Sequence, residues 1–194
     1  MTDEAQHKGW YRRHELPHYD AAGVYQSITY RLGDALPNHV LRRFQLSVSA
    51  GDADSRTSAL RQKVERYCDA GHGSCILRCP AVADAVCTIW MEQAGIAYDL
   101  HAWVVMPNHV HVLIRQYEGG VLADIVRYWK SRSTVEVNRI MGRAGSLWQP
   151  AYWDRFIRDA DHYWRTRHYI HHNPVTARLA EEAAAWPWSS AAPA

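Results

Sequence analysis

Trp103-Val104-Val105-Met106-Pro107-Asn108-His109-Val110-His111-Val112-Leu113-Ile114 is an apolar run broken once by a turn dipeptide, Pro107-Asn108. Alternate side chains of a strand share a face. His109, His111 and Leu113 therefore lie on one face, and Val110, Val112 and Ile114 on the other. The rise along a strand is roughly 3.3 Å per residue, so the two imidazoles stand about 7 Å apart along the backbone. One divalent ion can sit between them while the aliphatic face packs on a core. The same pattern also fits two half-exposed histidines on an ordinary strand, so the triplet alone leaves both readings open.

Outward from this run, Tyr98 to Met106 reads as the partner strand, giving a β-hairpin with the histidines on its return arm. Gly119-Gly120 ends it, and Val121 to about Ile140 reads as a helix with Leu122, Ile125, Val126 and Trp129 at 3–4 spacing. On the N-terminal side, 23–30 alternates as a strand, Pro37 opens a helix, and 81–93 is a further helix. Residues 49–60 read as a loop, with a helix from about Leu60 to Cys68. Trp153 to Arg158 is a short strand. Asp159 is placed to cap a helix running to Asn173, where Pro174 stops it. Residues 1–20 read as a flexible polar lead-in, 21–182 as one domain and 183–194 as a tail. Strands interleaved with helices in this order predict an α+β sandwich. Helices cover one face of a mostly antiparallel sheet, and the other face stays available to a ligand.

Composition narrows the function classes. A chain of 194 residues, 47% hydrophobic and 22% charged, is an ordinary globular domain. No apolar stretch spans a bilayer and the N-terminus lacks an apolar signal core, so a cytoplasmic location and no membrane partner are expected. The net charge of +2 is uneven: residues 121–180 hold 10 basic and 5 acidic residues, a net of +5. Such a segment is a candidate polyanion surface. Cys68, Cys75, Cys79 and Cys87 have no zinc or redox spacing and read as reduced thiols. Nine Trp and 11 Tyr stand against two Phe, a bias toward rings with a polar tip.

The predicted helix 159–173 supplies the second half of a site. On its wheel, His162, Arg165, Thr166, His172 and Asn173 fall within about 60° of Tyr169. That places a phenol on a polar face. Asn173, one turn further, can offer an amide oxygen as third ligand to an ion held by His109 and His111. A free phenol has a pKa near 10, so nucleophilic use of Tyr169 calls for help from a divalent cation at the phosphate. Mg²⁺ or Mn²⁺ suits histidine, amide and water ligation, with two imidazoles tilting toward Mn²⁺. Arg127, Lys130, Arg132, Arg155, Arg158 and Arg165 are candidate polyanion contacts, and Trp148 and Tyr152 candidate stacking platforms.

Three segments together carry a family resemblance. The run 103–114 resembles the histidine–hydrophobic–histidine signature of HUH single-strand endonucleases. Leu147-Trp148-Gln149-Pro150-Ala151-Tyr152-Trp153-Asp154-Arg155-Phe156-Ile157-Arg158-Asp159 and His168-Tyr169-Ile170-His171-His172-Asn173-Pro174-Val175 look like two further signatures of REP-associated tyrosine transposases, relatives of the single-tyrosine transposases of bacterial insertion sequences. Trp186-Pro187-Trp188-Ser189-Ser190 fits as well, so the likeness covers roughly 20–190. The resemblance implies a ferredoxin-like (RRM-like) antiparallel sheet with helices on one face, and a C-terminal helix carrying the nucleophile, here Tyr169. It implies metal ligands His109 and His111, and a third ligand four residues after the tyrosine. Relatives often have glutamine there, and this chain has Asn173. It implies metal-dependent cleavage and rejoining of single-stranded DNA beside a palindromic hairpin, through a 5′-phosphotyrosine link, by a bacterial, nucleoid-associated protein, a monomer like the REP-associated relatives or a dimer like the insertion-sequence ones. The alternative is a catalytically silent hairpin-binding protein.

Overall fold

The computed structural model describes residues 7–13, 16–48 and 52–193. Its centre is a four-stranded sheet of order β4-β5-β3-β6, from β3 (Tyr25–Arg31), β4 (Tyr98–Val105), β5 (His109–Gln116) and β6 (Trp153–Phe156). Every pairing is antiparallel. Helix α3 (Pro80–Gln93) connects β3 to β4 after an excursion, and α4 (Leu122–Met141) connects β5 to β6. The run is thus strand–helix–strand–strand–helix–strand, with the hairpin arm β5 internal.

The alternation in β5 divides the protein into layers. Val110, Val112 and Ile114 join Ile28 and Tyr30 of β3 against α3 (Val82, Val86, Ile89, Trp90) and α4 (Leu122, Ile125, Val126, Trp129). His109, His111 and Leu113 face the other way. That opposite face, expected to stay open, is partly covered. Ile170 of α5 (Ala160–Thr176) packs with Leu113, Ala102, Val104 and Met106 in a second core. Helix α5 therefore covers the β4 end of that face, and this is what brings a helical side chain over the histidines.

The Trp and Tyr bias has a structural use. The indole of Trp90 donates to the Tyr30 hydroxyl (2.9 Å), that of Trp129 to the Tyr98 hydroxyl (2.7 Å), and Tyr98 donates to the Trp90 carbonyl (2.6 Å). Large rings fill the core while their polar tips stay bonded.

Four expectations are corrected. Residues 9–13 and 16–20 are not a flexible lead-in but a hairpin of β1 (Gly9–Arg13) and β2 (Leu16–Asp20). Tertiary anchors hold it: buried His18 bonds the Asp154 carboxylate, the same carboxylate accepts from Tyr19 N at 3.1 Å, and Gln116 donates to Asp20 at 2.8 Å. Residues 1–6 and 14–15 of the expected lead-in lie outside the described residues. The segment read as a loop up to residue 60 is helical from Ala53, because Asp52 caps α2 (Ala53–Asp69) by accepting from Ser55 N. Asp159 caps α5 as expected, accepting from His162 N at 2.7 Å, but Pro174 lies inside the last turn and the helix runs to Thr176. Residues 186–190 are no loose tail. Trp188 O accepts from Val105 N (2.8 Å), Ser190 N donates to Trp103 O (3.0 Å), and the Trp186 indole donates to Val105 O (2.9 Å). The C-terminal segment thereby covers the otherwise free edge of β4, a position prone to intermolecular pairing. A third cluster, Leu36, Val40, Val64 and Cys68, joins α1 (Asn38–Ser47) to α2. Among the described residues no helix is long and apolar enough to cross a membrane.

Candidate active site

His109 and His111 are both 1% exposed, with their Nε2 atoms 3.1 Å apart. Their other nitrogens are tied down. Asn108 donates its amide to the carbonyls of Cys68 (3.0 Å) and His72 (2.7 Å), which orients its Oδ1 toward His109 Nδ1 at 2.7 Å. A carbonyl oxygen only accepts, so His109 Nδ1 carries a hydrogen, and Nε2 is the nitrogen turned to His111. His111 Nδ1 lies 2.9 Å from the Thr29 hydroxyl across the β3–β5 pairing. A hydroxyl can donate or accept. His111 can therefore hold its hydrogen at Nε2, bonded to His109, or at Nδ1, freeing a second lone pair. Burial first, then the neighbouring His109 and Arg61, holds the His111 pKa well below the usual imidazole range, so His111 is neutral near pH 7.

Tyr169 stands edge-on to the His111 ring, centroids 5.4 Å apart, and is 39% exposed. Sequence-predicted His109, His111 and Tyr169 are thus brought together. Burial of its hydroxyl end, followed by Glu65 and Asp69, raises the Tyr169 pKa above the ordinary phenol value, while Asn173 and Arg61 act in the other direction. Asn173, one turn on, is 2% exposed; it acts on the Tyr169 hydroxyl as a hydrogen-bonding neighbour, and its buried amide nitrogen and oxygen have no other partner. A buried amide so weakly satisfied is costly, on the order of 1–3 kcal/mol, and its oxygen is open to a ligand.

These donors suit a hard or borderline divalent cation. In an octahedral site with bonds of about 2.1 Å, adjacent ligand atoms lie about 3 Å apart, and the two Nε2 atoms have that spacing. Among the described residues no three His, Cys, Asp or Glu side chains form a metal cluster. A third ligand can come from the Asn173 amide, or from the Asp69 carboxylate, whose Oδ1 lies 3.4 Å from His109 Nε2.

The sequence places a helix from about Leu60 to Cys68 but gives it no part in the site, and its α2 residues belong there. Its residues Arg61, Glu65 and Asp69, spaced four apart, lie on one helical stripe. Asp69 Oδ1 is 3.4 Å from His109 Nε2, Glu65 acts on Tyr169, and Arg61 acts on both Tyr169 and His111. The segment had read as a loop at its start, and nothing local in it points to the histidines.

The predicted DNA contacts separate into two groups. Arg127, Lys130 and Arg132 sit on α4, on the opposite side of the sheet from the histidines. Arg127 pairs with Asp124 (3.0 Å) and Arg132 with Glu92 (3.6 Å). Lys130 donates to the carbonyls of Gln149 (2.5 Å) and Pro150 (2.9 Å), and burial lowers its pKa to about 8. Trp148 and Tyr152 are core residues rather than stacking platforms. The Trp148 indole donates to Ser133 (2.8 Å), and Tyr152 bonds the Tyr11 hydroxyl (3.0 Å). Arg155, Arg158 and Arg165 form the second group, on the side of α5; all three act on the imidazole of His162.

Comparison with known proteins agrees with the three motifs. Residues 83–173 match the family described as "Transposase IS200 like", a span that includes both histidines, Tyr169 and Asn173 but neither Thr29 nor α2. The chain is 30% identical over 96 residues to the REP-associated tyrosine transposase of Escherichia coli (strain K12), covering 48% of this chain and 54% of that protein. It is 28% identical over 103 residues to a putative REP-associated tyrosine transposase of Haemophilus influenzae (strain ATCC 51907 / DSM 11121 / KW20 / Rd), covering 48% and 58%. The matches thus span little more than half the length of these relatives. In fold, it is similar to a REP-associated tyrosine transposase solved bound to a REP hairpin. The TM-score is 0.55 at 22% identity, over 93% of this chain and 81% of that one.

Proposed function

We propose that this chain, whose residues 83–173 match the IS200-like transposases, cuts and rejoins single-stranded DNA at REP-like hairpins through a covalent link to Tyr169. The observation that carries this reading is the Tyr169 ring against His111, whose Nε2 meets that of His109 at 3.1 Å. His109, His111 and Asn173 are the residues that would hold Mg²⁺ or Mn²⁺. The chemistry supplied by such an ion is polarisation of the scissile phosphate and stabilisation of the departing oxygen.

The protein's own contribution is positional and electrostatic. Asn108 and Thr29 fix the two imidazoles, and α5 holds the phenol beside them. With its pKa raised above the ordinary phenol value by burial, Tyr169 holds its proton near pH 7. On attack, the Tyr169 oxygen bonds phosphorus and the phenolic proton passes to solvent. The phosphorus–3′-oxygen bond breaks, and the 3′-oxygen takes up a proton as a free hydroxyl. The 5′-phosphate remains on Tyr169, and a second 3′-hydroxyl reverses the step to join strands.

The test is a denaturing protein gel after incubation with Mg²⁺ or Mn²⁺ and labelled single-stranded DNA carrying a palindromic hairpin. A labelled adduct that vanishes in Tyr169→Phe is the expected result. Binding without adduct would leave a silent hairpin-binding protein. Cleavage untouched by Tyr169→Phe would remove the tyrosine from the chemistry.

A further inference from the structure

An open groove of about 710 Å³ runs between α2 and β6, lined by Ser55, Ser58, Arg61, Gln62, Arg155 and Arg158, with Asp154 also in its wall. Its charge is one-sided. The Asp154 carboxylate is taken up by His18 and Tyr19 N, and its side chain is 1% exposed. Glu65 pairs with Arg61 at 2.8 Å. Among the described residues neither Arg155 nor Arg158 forms an ion pair. Burial, then Arg61, then Arg158 depresses the Arg155 pKa, so these guanidinium groups repel one another. Three guanidinium groups held together against a single glutamate, Glu65, form a site for a polyanion. Arg61, which lines the groove, and Asp69, whose Oδ1 is 3.4 Å from His109 Nε2, lie on one stripe of α2, so the helix runs from the groove to the histidine pair beside Tyr169.

We propose that α2 and β6 are the two walls of a track for the backbone of single-stranded DNA, with Arg61, Arg155 and Arg158 each meeting a phosphate of the strand that leads to Tyr169. This deepens the reading above and rests on it. A single strand is the fitting occupant because the groove leads to a tyrosine that must reach a phosphate in line, and an unpaired backbone can follow a channel between two elements. Such grooves bind through the phosphates and are tolerant of sequence. Helix α2 lies outside the family-matched span, so the track combines a wall beyond that span with the matched β6 wall.

The experiment measures fluorescence anisotropy of a labelled oligothymidine strand with the full chain in EDTA, across a salt series. Removing one arginine–phosphate pair from a single-strand complex should flatten the slope of log K against log salt by about 0.7. Arg61→Gln, Arg155→Gln and Arg158→Gln are each expected to show that change, and the triple variant about 2 in total. Arg127→Gln, on the opposite layer and paired with Asp124, should leave the slope unchanged. Glu65→Gln, which releases Arg61, should tighten binding. Arg158 is exposed, so its variant reports even where Arg61→Gln disturbs α2. Wild-type slopes in Arg155→Gln and Arg158→Gln would overturn the track, as would a wild-type chain that ignores oligothymidine. The Tyr169 adduct assay stands apart: an adduct with unchanged slopes refutes the track alone, while no adduct with altered slopes refutes the cleavage reading alone.

Discussion

Replacing Thr29 by valine separates orientation from mere presence of the histidines. The swap conserves shape but removes the hydroxyl that lies 2.9 Å from His111 Nδ1. Both residues are buried, so no water replaces the missing hydroxyl. An unsatisfied buried nitrogen costs about 1–3 kcal/mol. In a domain of this length 1 kcal/mol shifts Tm by about 2–4 °C, so Thr29→Val should melt roughly 2–12 °C lower. The substitution also frees the ring to turn and removes the hydroxyl that pairs with Nδ1 in either tautomer. Loss of such a supporting partner costs about 10–100-fold in metal affinity. Titration calorimetry with Mn²⁺ reads the affinity and differential scanning calorimetry reads Tm. Thr29→Ser keeps the hydroxyl and should retain most of the affinity, although it loses a methyl group worth about 0.8 kcal/mol. If Thr29→Val binds Mn²⁺ as tightly as the wild type, or if Thr29→Ser falls with it, the hydroxyl does not set the imidazole and the tautomer argument is wrong.

Two further outcomes follow from the same packing. Ending the chain after Ala185 strips Trp188 and Ser190 from Val105 and Trp103, so the bare β4 edge should self-associate; size-exclusion chromatography of a persistently monomeric truncation would refute the edge-cover role. His162 and His171 have pKa values lowered, chiefly by burial and then by nearby arginines. Their unfolded forms take up protons near pH 6.5 while the folded forms resist. Stability should therefore be full above that pH and fall as pH drops through 6.5 toward 5, with a smaller drop in His162→Asn; urea midpoints that are flat across this range would contradict the burial of these rings.

Features carried by short-range geometry were legible in the chain. The alternation in 109–114 places the imidazoles on one face and the aliphatic residues on the other, because a strand's period of two holds whatever the strand packs against. The Asp159 cap and the wheel of α5 place Tyr169 and Asn173 on one stripe for the same kind of reason, a fixed 3.6-residue period. Trp148, Tyr152 and Lys130 turned out structural rather than DNA-facing, since residue type and local charge say nothing about which side of a sheet a side chain meets.

The sequence by itself determined the hairpin, the histidine pair and the tyrosine helix, each carried by short-range periodicity. Only the tertiary structure decided that β1 and β2 are ordered, that residues 188–190 seal the β4 edge, and that Arg61, Glu65 and Asp69 face the site. Those outcomes depend on partners far away in the chain: Asp154 for His18, Trp103 for Ser190, and His109 for Asp69. No local pattern records such pairings, because their energy exists only once the sheet has brought the two segments together.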